Sequence, residues 1–121
     1  MSHPPTIKSV LVTGAGELGT EVLRYLLQHP QRHETAIFLL VRSRSRTQQL
    51  LQSSLGEHLT QQIADIIEGD IVHDSDDRLV SIFRKFDLVI GCTGFVTGSG
   101  GTQIRLARAV LAASTPFYIP W

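Results

Sequence analysis

Ser9-Val10-Leu11-Val12-Thr13 runs straight into Gly14-Ala15-Gly16-Glu17-Leu18-Gly19, an apolar strand-like segment followed by G-x-G-x-x-G. In that context each glycine answers a steric demand. Gly14 serves the tight turn out of the strand, Gly16 the close approach of backbone to a pyrophosphate, and Gly19 the close packing of helix on sheet. A helix opening at this turn presents unpaired N–H groups and a positive dipole end, both suited to phosphate. Gly14, Ala15, Gly16, Glu17, Leu18 and Gly19 are therefore the first candidate cofactor-binding positions, and the expected ligand is a dinucleotide.

Outward from the turn, strand and helix patterns alternate along the whole chain. Leu18, Val22, Tyr25 and Leu26 recur at helical spacing until Pro30, which cannot continue a helix. Ala36-Ile37-Phe38-Leu39-Leu40-Val41 follows without polar alternation. A strand apolar on both faces belongs inside a parallel sheet covered on both sides. Thr47 to about Leu55 reads as a short helix, and Ile66-Ile67 leading into Glu68-Gly69-Asp70 as a third strand. Asp76 to Lys85 places Leu79, Val80 and Phe83 on one helical face, before a fourth strand at Asp87–Cys92. Thr102 to Ala113 offers Ile104, Leu106, Ala107, Val110 and Leu111 for burial, and Phe117-Tyr118-Ile119 is a fifth strand. Right-handed crossovers then predict an α/β fold, a doubly wound parallel sheet of Rossmann type, with five strands ordered 3-2-1-4-5. Its ligand crevice is expected at the carboxyl ends of strands one and four.

The 121 residues suit one domain. Eleven acidic and eleven basic residues balance, so no net field draws the chain to nucleic acid or to an anionic membrane. The first residues, Met1 to Thr6, lack a signal-peptide core, and no apolar run approaches the roughly 18 residues of a membrane span. The expectation is a cytoplasmic protein. Cys92 is the only cysteine, which excludes an internal disulfide, and the scattered histidines give no zinc-ligand spacing, so no metal is assigned.

The end of the second strand faces the adenosine ribose in such a fold, and an acid there favours NAD. This chain has Val41-Arg42-Ser43-Arg44-Ser45-Arg46 instead. Arginine suits a 2′-phosphate because its planar fork makes paired, charge-assisted hydrogen bonds, and the Ser43 hydroxyl adds a donor. The expected cofactor is accordingly NADP, with Arg42 as the clamp, Ser43 beside it and Arg46 as a second candidate. The competing reading is a solvated basic loop, a phosphorylation or nucleic-acid tract.

Asp70, with Ile71 beside it, follows the third strand and stands where an acceptor can meet the adenine edge. Equally, Asp70 or Asp74 can cap a turn or the next helix. Cys92-Thr93-Gly94 closes the fourth strand with small residues that let a cofactor pass close to backbone. Cys92 is read as a buried apolar residue and not a nucleophile, because nothing nearby activates a thiolate. The stretch Thr97 to Gly101 reads as a loop over the nicotinamide or a plain connection, with Gln103 within reach of the cofactor.

Together these residues resemble the NmrA-like and isoflavone reductase-like group of atypical short-chain dehydrogenases. The resemblance rests on the glycine turn, on Leu40-Val41-Arg42, on Gly69-Asp70, on Gln103 opening an alanine-rich helix, and on Pro116-Phe117-Tyr118-Ile119-Pro120-Trp121. It implies NADP(H) binding, with Gly14, Gly16, Gly19, Arg42 and Gln103 at the family's cofactor positions. Two features depart from the family pattern. The glycine turn has the shorter classical spacing, where family members often carry G-x-x-G-x-x-G. The sequence also stops at Trp121, before the segment in which such proteins place a catalytic lysine or Tyr-x-x-x-Lys pair and a substrate-binding portion. No catalytic residue is assigned: Tyr118 has no following lysine, and Lys8 and Lys85 lie near the amino ends of their strands, away from the crevice.

The expectation is thus the cofactor-binding part, over residues 1–121, of an NADP-dependent reductase acting on a small organic metabolite. The alternative is an NADP redox sensor that works through a protein partner. An open edge at the fifth strand, with Phe117, Ile119 and Trp121 poorly covered, leads to an expected homodimer or self-association.

Overall fold

The computed structural model describes residues 7–30, 34–92 and 100–120. Five parallel strands form its centre: β1 (Ser9–Thr13), β2 (Ala36–Val41), β3 (Asp65–Glu68), β4 (Leu88–Gly91) and β5 (Phe117–Ile119). Their order across the sheet is β3-β2-β1-β4-β5, as expected from the alternation. Five helices connect or follow them: α1 (Glu17–Gln28), α2 (Arg44–Ser54), α3 (Glu57–Thr60), α4 (Asp76–Phe83) and α5 (Gly100–Ala112). The central strand β1 pairs on both sides, Leu11 standing opposite Phe38 of β2 and Val89 of β4.

The absence of polar alternation in β1 and β2 is explained by a core on each face. Val10, Val12, Ile37, Leu39 and Val41 turn toward Leu23 and Leu27 of α1 and Leu51 of α2. Leu11 and Leu40 turn the other way, toward Leu79, Ile82 and Phe83 of α4 and Leu106, Ala109 and Val110 of α5. Successive strand residues point to opposite faces, so a strand with helices on both sides is apolar throughout. Phe38 and Phe86 meet edge to face in the second core, centroids 5.0 Å apart.

The structure corrects the helix faces. On α1 the buried residues are Gly19, Leu23 and Leu27, with Leu18, Val22 and Leu26 packed beside them. Tyr25, expected on the buried face, is 68% exposed and packs against the His29 ring. Gly19 lets the helix come close against the turn before it, where a Cβ would meet the Gly14 carbonyl oxygen at 2.1 Å. On α4 Ile82 joins Leu79 and Phe83, while Val80 is only partly covered. On α5 Leu106, Ala109 and Val110 are buried, as is Ala113 just past its end, whereas Ile104 and Leu111 are 54% and 79% exposed. Helical spacing alone admits two neighbouring stripes, and the sheet selects the one with small residues that allow close approach.

Helix α2 begins three residues earlier than the apolar pattern indicated, because the Ser43 Oγ accepts from the Arg46 N–H and caps it. The single turn α3, entered through Gly56 at φ +88°, was not anticipated. Among the described residues no helix is long and apolar enough to cross a membrane.

Candidate functional site

The glycine turn leaves β1 at Gly14, whose φ of +94° lies in the region that favours glycine. The Gly14 N–H donates to the Leu40 carbonyl at 2.9 Å, tying the turn to β2. Across β4, the Cys92 N–H donates to the Thr13 carbonyl at 3.0 Å and to the Thr13 Oγ1 at 3.2 Å. Gly19 lies beneath the turn, where a Cβ would meet the Gly14 carbonyl oxygen at 2.1 Å. Gly16 is the N-cap of α1 and differs from both. It makes no side-chain cap, its φ of −72° suits any residue, and a Cβ there would meet nothing within 4 Å. Its own protein therefore leaves open space where the first turn of α1 begins.

That space belongs to a cleft of about 680 Å³ at the carboxyl ends of β1 to β4. Of the sequence candidates, Gly14, Ala15, Gly16, Glu17, Leu18, Arg42, Ser43, Asp70, Ile71 and Cys92 line it. Gly19 supports the cleft from below. Gln103 is not among the lining residues; Thr102, its neighbour on α5, is. Thr93 and Gly94, the connection from Thr97 to Ser99, and Trp121 lie outside the described residues.

Seven further residues line the cleft: Leu40, Val41 and Gly69, quoted above only as motif residues, and Thr47, Leu50, Val72 and Thr102. Thr47 and Leu50 share one helical face with Arg46, which the earlier start of α2 brings into the helix. Thr47 and Thr102 are buried despite being polar, and Leu50 and Val72 are large apolar residues left about half exposed. The cleft therefore combines apolar walls, hydroxyls and a basic end, which is the composition of a small-molecule site.

The basic tract divides by geometry. Arg42 and Arg46 face the cleft. Arg44 turns away: its guanidinium meets the Asp65 carboxylate at 3.1 Å, and its N–H donates to Glu68 Oε1 at 3.0 Å. Positions 44 and 46 stand about 200° apart around α2, so alternation in sequence becomes opposition in space.

Asp70 caps its own turn. Its Oδ1 accepts from the Val72 N–H at 2.8 Å and the His73 N–H at 3.1 Å, while Oδ2 pairs with His73 Nδ1 at 2.9 Å. The His73 hydrogen bond holds the Asp70 carboxyl below the ordinary aspartate value; burial opposes it, and the two backbone N–H groups reinforce it. Asp74 closes the turn from the other side, accepting from the Asp70 N–H at 2.9 Å and from Arg78 Nε at 3.1 Å.

Cys92 is buried, and that burial pushes its thiol up from the ordinary value, away from the reactive thiolate. Tyr118 is likewise pushed up by burial and is not a lining residue of the cleft. Among the described residues no group of three or more His, Cys, Asp or Glu side chains is placed to hold a metal ion.

No family model matches the chain. It is 35% identical over 119 aligned residues to an NmrA-like family domain-containing oxidoreductase of Gibberella moniliformis, covering 93% of this chain and 37% of that protein. Among solved structures, the carbonyl reductase Sniffer of D. melanogaster superposes with a TM-score of 0.64 at 21% identity, over 88% of this chain and 51% of that one. AtPrR2, solved with NADP+ and (+)pinoresinol, gives 0.66 at 18% identity, over 98% of this chain and 37% of its own. The structural likenesses establish the fold. The chain spans about a third to a half of the length of these proteins. Over the aligned residues the chain is similar in sequence to that NmrA-like family domain-containing oxidoreductase, and its parallel sheet has the strand order of the Rossmann-type fold that the motifs predict.

Proposed function

We propose that this chain binds NADP(H) in the cleft and forms the cofactor-binding part of an NADP-dependent reductase. The observation that carries the reading is the joining, in one cleft, of the Gly16 opening at the start of α1 with Arg42 and Arg46 after β2. Residues 14–18 would hold the pyrophosphate against the first turn of α1, where N–H groups and the helix dipole favour an anion. Arg42 and Arg46 would hold the 2′-phosphate, and Ser43, which caps α2, would present its hydroxyl beside them. Leu50, Ile71 and Val72 supply apolar surface for a base, which excludes water from one side of the bound ring.

Bound there, the nicotinamide supplies hydride chemistry, and the protein's share is orientation and electrostatics. The proposed reaction of the whole protein is reduction of a carbonyl or activated double bond of a small organic metabolite. This chain's own residues position the cofactor for that step. The proton donor and the substrate-binding surface are assigned to no residue of this chain.

The test is titration calorimetry of the purified chain with NADPH, NADP and NADH, repeated with Arg42→Ala. NADPH binding at least about tenfold tighter than NADH, with the preference lost in the variant, supports the reading, since one charged contact of about 1.5–3 kcal/mol amounts to that factor or more. A folded chain that binds none of the three nucleotides refutes it.

A further inference from the structure

The turn between β3 and α4 forms one wall of the cleft through Asp70, Ile71 and Val72. Asp70 and Asp74 shape it from within, and Arg78 braces it by donating to Asp74 Oδ2 at 3.1 Å and to the Glu68 carbonyl at 2.8 Å. From beyond α4, among the described residues, every hydrogen bond to residues 70–76 comes from one side chain, Arg105 of α5. Its Nη1 donates to the Ile71 carbonyl at 2.6 Å and the Val72 carbonyl at 2.8 Å. Its Nη2 donates to the Asp74 carbonyl and, at 3.1 Å, to Asp76 Oδ1, which also accepts from Nε at 3.3 Å.

This use of a guanidinium is specific. Five N–H donors in one plane, no acceptor and a permanent charge let Arg105 span three carbonyls and a carboxylate at once. A lysine ammonium carries its three donors on a single atom and cannot reach all four acceptors. The helix that holds Arg105 also contributes Thr102 to the cleft, one turn earlier. Arg105 therefore joins two walls of the cleft without lining it.

We infer that Arg105 is a positioning residue of the dinucleotide site. By holding the carbonyls of Ile71, Val72 and Asp74 toward α5, it sets the wall that meets the adenosine half of the ligand. The inference rests on the dinucleotide reading above. It also makes an independent claim, that the turn keeps its shape through Arg105 and not through its internal bonds alone.

The experiment compares the unsubstituted chain with Arg105→Met and Arg105→Lys, below the melting temperature of each. Two quantities are measured: affinity for NADPH and for 2′,5′-ADP, and amide hydrogen exchange at Val72, His73 and β1. Arg105→Met is expected to weaken both ligands by about tenfold, the scale of one lost charge-assisted hydrogen bond, with Arg105→Lys in between. Exchange at Val72 and His73 is expected to accelerate while β1 amides keep their protection. Should Arg105→Met fail to fold, Arg105→Lys carries the comparison. Unchanged affinities in a folded variant, or exchange that accelerates equally in β1 and the turn, would overturn the inference. If the unsubstituted chain binds neither ligand, the dinucleotide reading fails, and the exchange data still decide whether Arg105 holds the turn.

Discussion

Gly19 lies so close beneath Gly14 that a Cβ on it would stand 2.1 Å from the Gly14 carbonyl oxygen and 2.9 Å from its carbonyl carbon. Backbone meets backbone there, and neither side can yield by turning a rotamer. Gly16, between them, has nothing within 4 Å of the same position. The three glycines of one motif thus divide into two that the fold requires and one that the fold leaves free.

Alanine substitution separates these roles. Gly19→Ala is expected to destabilise the chain by about 1–3 kcal/mol or more, the cost of forcing α1 away from the turn. Gly16→Ala is expected to leave stability within about 1 kcal/mol, because the added methyl meets only space. The same methyl would occupy the proposed pyrophosphate position and weaken NADPH binding at least tenfold, on the scale of one charged contact of about 1.5–3 kcal/mol. Urea unfolding and calorimetry on both variants check the pair, and full affinity in Gly16→Ala would remove the phosphate role from this turn.

The arginines give a contrast within five residues. Arg42→Ala, at the cleft, is expected to lower NADPH affinity with little change in NADH affinity. Arg44→Ala breaks an exposed pair with Asp65 and is expected to change neither affinity, with a stability effect of about 0–1 kcal/mol. Equal losses from both would indicate a diffuse basic loop acting only by charge, and raising the salt concentration would then abolish the difference from wild type.

The Asp70 carboxyl titrates below the ordinary value of 3.8, first because of its hydrogen bond with His73. Its folded-state pKa is depressed, so the stability it contributes is present above the unfolded value and is lost as pH falls through the folded one. Acid unfolding of Asp70→Asn should therefore lack the part of the wild-type decline below about pH 4 that this carboxyl causes. Identical acid limbs for the two proteins would show that the turn draws nothing from Asp70.

Burial raises the Cys92 thiol, so the folded chain should react slowly with iodoacetamide at neutral pH and quickly in urea. Its folded pKa lies above the unfolded one; the stability this brings is complete below the unfolded value and is lost as pH rises through the folded value. Rapid native-state alkylation would contradict the burial and reopen the question of a reactive thiol.

Strand β5 ends the described sheet, with Phe117 and Ile119 38% and 52% exposed. Concentration-dependent self-association of this chain is the expected consequence of an apolar sheet edge. Ile119→Lys should reduce it in sedimentation velocity, because a charge on an edge opposes strand pairing. Equal association by both proteins would place the contact elsewhere.

The elements that the sequence determined by itself are those whose cause is local. An apolar run without alternation demands cover on both faces, which predicts β1 and β2 as interior strands of a parallel sheet. The spacing Gly14, Gly16, Gly19 after a strand demands a tight turn into a helix, and repeated β-α units with right-handed crossovers leave the order 3-2-1-4-5. Tertiary structure decided everything that depends on which side of an element meets the sheet. Helical spacing alone put Tyr25, Ile104 and Leu111 inward, and close packing through Gly19 and Ala109 turned them out. The seating of α2 on the sheet puts Arg46, Thr47 and Leu50 at the cleft and Arg44 on Asp65, and that of α5 puts Thr102 at the cleft and Arg105 on the turn after β3. Thr102 and Asp70 lie 32 positions apart in sequence, and no local preference can bring them into one cleft; only burial of both cores does so.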